Sequence, residues 1–168
     1  EGFKDFKART KLDSNSVFAI GSVSKQFTAA MILMLEDQGK LNTNDKVSKF
    51  LPEFQNKHFE NITVHQLLNH TSGISDFGSG LQSKPGESFN YSNKGYRFLG
   101  EIVAKVSEKT FDHYAKELFE RIGMMHASTA NLFEGNHLAG AYLGNAVRFE
   151  KIANMPKRLA SKEISVAA

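Results

Sequence analysis

An apolar stripe at helical spacing, set directly behind a serine, constrains this chain more than any other feature. The run Val17-Phe18-Ala19-Ile20 ends at Gly21-Ser22, and from there Val23, Phe27, Ala30, Met31, Met34 and Leu35 recur every three or four residues. A period of about 3.6 predicts an amphipathic helix that must bury one face. Gly39 followed by Lys40 is a stop signal, because glycine accepts the left-handed conformation that ends helices. Two further stripes follow, Tyr96, Leu99, Ile102, Val103 and Val106, then Phe111, Tyr114, Leu118 and Ile122. The second is capped by Thr110 and ends at Gly123. Thr63 predicts the N-cap of a brief helix through Val64, Leu67 and Leu68, stopped by Thr71-Ser72-Gly73. Residues 41–62 are short turns and loop around Pro52, and residues 74–93 have the Gly- and Ser-rich composition of a surface loop. Strand candidates are few: the approach to Ser22 and residues 139–149. These patterns predict an α+β protein dominated by a helical layer, and beyond Met125 the pattern fades.

Composition narrows the function. The 168 residues suffice for one domain that buries roughly 70% of its unfolded surface. Hydrophobic residues are 40% and charged residues 23%, as in ordinary globular proteins. The 21 Lys and Arg are interspersed with 18 Asp and Glu, which describes a solvated surface with a net charge of +3. Pro156-Lys157-Arg158 is too short a basic cluster for nucleic acid. No apolar run reaches the ~18–20 residues of a membrane span. The chain opens on Glu1-Gly2-Phe3-Lys4 without a signal peptide, as a mature secreted protein also would. Cysteine is absent, so disulfides, thiolate chemistry and Cys-ligated zinc are excluded. Six histidines show no His-Glu-x-x-His or other ligand spacing, so neither a metal nor a cofactor is expected.

Chemistry concentrates at Ser22-Val23-Ser24-Lys25. On a helix, residues three apart share a face, so Lys25 can reach the Ser22 oxygen. A serine hydroxyl is a weak nucleophile until a neighbouring base takes its proton. The helix start also favours the negative charge that develops on an alkoxide. The same four residues equally fit an N-cap serine followed by an exposed lysine. Sixty-nine residues after Ser22 comes Tyr91-Ser92-Asn93, just ahead of a helix. A phenol with a pKa near 10 matches a lysine amine near 10.4, so the two can share one proton. Asn93 offers a donor and an acceptor that could hold both Lys25 and a substrate carbonyl. Tyr91 could otherwise be a loop residue that covers the core.

Phe18-Ala19-Ile20-Gly21-Ser22-Val23-Ser24-Lys25-Gln26-Phe27-Thr28-Ala29 resembles the nucleophile segment of the β-lactamase and penicillin-binding-protein superfamily. It is most similar to the branch that holds class C β-lactamases, D-alanyl-D-alanine carboxypeptidases, D-aminopeptidases and related esterases. Tyr91-Ser92-Asn93 resembles that branch's second motif. Leu67-Leu68-Asn69-His70-Thr71-Ser72-Gly73-Ile74 and Leu118-Phe119-Glu120-Arg121-Ile122-Gly123-Met124 resemble further landmarks in the right order, over about Gly2 to Ser128. The resemblance implies an acyl-enzyme on Ser22, proton transfer by Lys25 and Tyr91, and orientation of the acyl group by Asn93. It gives His70 a structural turn below the site, and leaves Ser24 and Ser92 without a nucleophilic role. The substrates implied are D-alanyl peptides, β-lactams or small esters, in a periplasmic or secreted bacterial setting. A non-catalytic penicillin-recognising or scaffold domain of the same fold is the alternative.

The resemblance also divides the chain into a strand remnant and lead-in at 1–21, a helical region at 22–128 and a tail at 129–168. The family's third motif is Lys-Thr-Gly or His-x-Gly, and neither string occurs in this sequence; Lys109-Thr110-Phe111 is the nearest. That strand would supply one of two oxyanion donors, the other being the Ser22 amide, and losing one typically costs about 100- to 1000-fold in rate. By resemblance the chain is a fragment, inactive alone, whose helices pack on an antiparallel sheet that is largely absent. Its partner would be a C-terminal segment or complementary chain, toward which Ile164-Ser165-Val166-Ala167-Ala168 leads. The helix faces at 23–35 and 96–106 would lack part of their cover. Only eleven residues, Ser75 to Pro85, separate the His-Thr-Ser-Gly-Ile turn from Gly86, which implies an open cleft.

Overall fold

The computed structural model describes residues 2–133, 138–144 and 149–151. Among these residues the α-helices are α1, Lys25–Asp37, α2, Val64–Leu68, α3, Asn93–Ser107, and α4, Phe111–Arg121. A 3-10 turn, Gly21–Ser24, leads into α1. Each later helix starts where a side-chain oxygen meets orphan backbone N–H groups. Thr63 forms a reciprocal capping box with Gln66, Ser92 Oγ accepts from Gly95 N at 3.0 Å, and Thr110 Oγ1 accepts from His113 N at 3.2 Å. Gly39 has φ of 68°, the left-handed stop its position predicts.

α1 packs against α3 and α4, and α3 against α2. Met31, Ile32 and Leu35 of α1 meet Leu67 of α2 and Leu99, Ile102 and Val103 of α3 in a core closed to solvent. Burial of each such side chain stabilises by roughly 1.5–3 kcal/mol. The turn-rich segment 41–62 has 3-10 turns at Val47–Lys49 and Pro52–Phe54, and it still gives the core Leu41, Val47, Phe54 and Ile62.

The sequence misplaces two helix faces. Val23 is 58% exposed, because the tighter 3-10 turn rotates it off the buried side. The buried face of α1 is Lys25, Thr28, Met31, Ile32 and Leu35, so a lysine takes its first inward position. Ile122 lies one residue past the end of α4 and is exposed, while Ala115 and Phe119 are buried. The expected loss of cover also falls unevenly. On the α3 face Tyr96, Leu99, Ile102 and Val103 are buried and Val106 is half-buried, whereas Phe27 of α1, stacked edge-on against Phe119 at 5.2 Å, borders an apolar concavity of about 440 Å³ shared with Phe18, Ile20 and Met124.

The sheet component is small. β1, Phe3–Asp5, pairs antiparallel with β2, Thr10–Lys11, and β3, Tyr142–Gly144, pairs antiparallel with β4, Phe149–Lys151. Gly140 N donates to Lys4 O at 2.8 Å and Lys151 pairs with Asp5, which joins the two hairpins. The approach to Ser22 is not a strand. Among the described residues Val17 makes a single parallel bridge to Leu138, and Phe18 and Ile20 are exposed. The stretch Ile164–Ala168 and the basic cluster at Pro156 lie outside the described residues.

Candidate active site

Gly21, at φ of 53°, leads the chain into the 3-10 turn, and Ser22 is exposed at the foot of α1. Three residues on, Lys25 points back along the same side and its Nζ donates to Ser22 Oγ at 3.3 Å. Lys25 is only 7% exposed. Lysine is seldom buried without partners, and here Nζ also donates to Asn93 Oδ1 at 2.9 Å. The amine lies over the Tyr91 and Tyr96 rings, 5.1 and 5.5 Å from their centroids. The capping alternative does not describe this geometry, because no serine side chain caps α1 and the lysine is buried.

Asn93 opens α3, and its amide is held from both ends. Oδ1 receives Lys25, and Nδ2 donates to Asp76 Oδ2 at 2.9 Å. Tyr91 is 46% exposed, so it does not serve as core cover. Its phenol faces both Ser22 and Lys25. Burial pushes its pKa up, but interactions with Ser22 and Lys25 and the lysine charge outweigh this and hold it below the usual value near 10.

His70 supports this wall from behind. It has φ of 61°, its Nδ1 accepts from Ser92 N at 3.1 Å, and its ring lies 4.5 Å from that of Tyr91 and 4.9 Å from that of Tyr96. Burial first, and then the Lys25 charge, hold its pKa below the usual 6.5, against the opposing pull of Asp76. Among the described residues it makes no hydrogen bond to Ser22. Ser24 Oγ donates to Gly21 O, and Ser92 Oγ donates to Asp76.

Asp76 is a further residue of the site, and it belongs to none of the motifs legible in the sequence. It sits in the 74–93 loop and takes four hydrogen bonds at the start of α3. Burial pushes its carboxyl up, but the N–H groups of Lys94 and Asn93 and the side chains of Ser92 and Asn93 bring it below the usual carboxylate range. Its signal in the sequence is faint, an acid inside a Gly- and Ser-rich stretch. No group of three or more His, Asp or Glu placed to hold a metal ion occurs among the described residues.

The structure thus brings Ser22, Lys25, Tyr91 and Asn93 into one cluster. An exposed hydroxyl, a buried amine and a phenol of lowered pKa lie within reach of one another, an arrangement that can pass a proton from oxygen to nitrogen or phenolate. The family model described as Beta-lactamase matches residues 1–149. The chain is 36% identical over 147 residues to protein flp of Staphylococcus aureus, covering 70% of this chain and 30% of that protein. It superposes on a penicillin-binding protein from Bacillus halodurans with a TM-score of 0.76 at 28% identity, covering 89% of this chain and 54% of the other. The D-alanine carboxypeptidase AmpC of Burkholderia cenocepacia gives a TM-score of 0.78 at 29% identity, covering 84% and 44%. The chain spans about a third of the length of the curated relatives it matches.

Proposed function

The chain belongs to the beta-lactamase family, a hydrolase superfamily, and from that premise we propose that it is the nucleophile-bearing part of a serine acyl hydrolase. The observation that carries the proposal is the position of Lys25 Nζ, 3.3 Å from Ser22 Oγ and 2.9 Å from Asn93 Oδ1, with the Tyr91 phenol facing it. Ser22 Oγ attacks the substrate carbonyl while its proton passes to the Lys25–Tyr91 pair. The tetrahedral adduct collapses, the leaving amine or alcohol takes that proton, and an ester on Ser22 remains. Water, deprotonated by the same pair, cleaves the ester and restores the serine as the acid departs. Asn93 holds Lys25 and orients the acyl group.

The substrates that fit this chemistry are D-alanyl peptides, β-lactams and small esters, and a bacterial extracytoplasmic setting accords with such substrates. The buried amine and lowered phenol favour catalysis over a scaffold role, because a domain that only binds has no use for a proton-transfer pair. The test is steady-state hydrolysis of nitrocefin and a p-nitrophenyl ester by the intact protein and by Ser22→Ala. The reading expects turnover that the substitution abolishes. Penicillin binding without turnover or covalent labelling would favour the scaffold alternative. The 168-residue chain alone is expected not to be a competent hydrolase, since its sequence lacks the third motif that would supply a second oxyanion donor.

A further inference from the structure

We infer that Asp76 is a positioning residue of the Ser22 site, whose carboxylate turns the Asn93 amide so that its oxygen meets the Lys25 amine. The inference rests on the hydrolase reading above. Asp76 Oδ2 accepts from Asn93 N at 3.0 Å and Asn93 Nδ2 at 2.9 Å. Its Oδ1 accepts from Ser92 Oγ at 2.9 Å and Lys94 N at 3.0 Å. Both oxygens therefore carry two donors each.

The two ends of an asparagine amide differ only in that one donates and the other accepts. A carboxylate solely accepts, so Asp76 takes the NH2 end. A lysine amine solely donates, and the remaining oxygen receives it at 2.9 Å. The order carboxylate, amide, amine allows one orientation of Asn93, and the reverse would set two donors face to face at Lys25. Asp76 also holds the backbone N–H groups of the first two residues of α3, which fixes the Asn93 main chain as well as its side chain. Lys25 forms no ion pair among the described residues, so the carboxylate one amide away polarises the group that receives its amine. The loop can bear this duty because it is itself braced. Gln82 N donates to Gly73 O at 2.7 Å, Ile74 bridges Leu81, and Lys94 Nζ reaches back to Gly78 O.

The experiment is a double-mutant cycle on the intact protein, with Ser22 acylation by a fluorescent penicillin followed in time for wild type, Asp76→Ala, Asn93→Ala and the double variant. Loss of positioning should slow acylation about 10- to 100-fold in Asp76→Ala, the scale of a misplaced catalytic geometry. In the Asn93→Ala background the same substitution should change the rate less than about threefold, because no amide is left to orient. Melting temperatures, followed in parallel, should fall in both backgrounds, because the bonds of Asp76 to Asn93 N, Lys94 N and Ser92 Oγ are lost in each, and somewhat further where the Asn93 amide is present. Equal rate losses in both backgrounds, or a wild-type rate for Asp76→Ala, would overturn the inference. A second readout needs no turnover: hydrogen exchange at Asn93 Nδ2, followed by NMR, should quicken about tenfold in Asp76→Ala, and unchanged exchange would equally overturn the assignment. Absent labelling of wild type, or labelling that persists in Ser22→Ala, would instead contradict the hydrolase reading and leave the amide exchange to decide on Asp76.

Discussion

Gly73→Ala should unfold the wall behind the active site, for a reason legible in three distances and an angle. Gly73 has φ of 75°, and a Cβ added there would lie 2.2 Å from the Ser83 carbonyl oxygen and 3.1 Å from its carbon. The left-handed conformation alone costs a residue with a Cβ roughly 1–2 kcal/mol. The clash is with backbone, so the 83 segment must move, and such forced shifts typically cost about 1–3 kcal/mol. Movement also strains the Gln82 N to Gly73 O bond of 2.7 Å, worth about 1 kcal/mol. A loss of about 3–6 kcal/mol follows, a large part of the roughly 5–15 kcal/mol by which a protein is stable. Gly78→Ala is the control, because Gly78 has φ of 81° with nothing within 4 Å of its Cβ position. It should lose only the conformational part. The assay is urea unfolding followed by circular dichroism for both variants. Equal losses for the two would refute the steric argument and leave left-handed strain as the whole effect.

Two further outcomes follow from the site. Tyr91→Phe should reduce turnover about 100- to 10,000-fold while leaving the melting temperature nearly unchanged, because a half-exposed phenol is invoked for proton transfer and not for packing; a wild-type rate in a purified variant would remove Tyr91 from the mechanism. The folded-state pKa of His70 is lowered, so the folded protein binds its proton less readily than the unfolded chain. Its contribution to stability is therefore complete above the unfolded pKa of about 6.5 and is lost as pH falls from there through the lowered folded value. His70→Asn keeps a side-chain oxygen for Ser92 N and tolerates the left-handed backbone, so its denaturation midpoint should change less between pH 7.5 and pH 5 than that of wild type. Identical pH dependence for the two proteins would mean that His70 is not the group responsible.

The helices were legible because their caps and their apolar spacing agree. Thr63, Thr110 and Gly39 stand where side-chain oxygens or left-handed glycine must stand, and α2, α4 and α1 begin or end beside them. Helix faces were less legible at their ends. Val23 and Ile122 fit the period but fall in a 3-10 turn and beyond a C-terminus, where the period no longer applies. Ser22, Lys25, Tyr91 and Asn93 could be named from spacing and motif. The inward turn of Lys25 could not, because a lysine on an apolar helix is normally placed on the solvent side. Asp76 was hidden for a different reason: its role depends on a loop folding back across 17 residues onto Asn93, a distance that carries no periodic signal. The strand expected before Ser22 did not form because a short apolar run does not make a strand by itself, and among the described residues it has a single bridge, from Val17 to Leu138.

The most direct test of the central claim is the site of covalent modification. The intact protein would be incubated with a penicillin or a phosphonate ester, digested, and mapped by mass spectrometry. The account predicts a single adduct on Ser22, absent from Ser22→Ala and formed far more slowly in a variant whose Lys25 amine is removed. Ser24, with its hydroxyl turned to Gly21 O, and the buried Ser72 should remain unmodified. An adduct on Ser24 or Ser72, or one on Ser22 that forms as fast without the Lys25 amine, would contradict it.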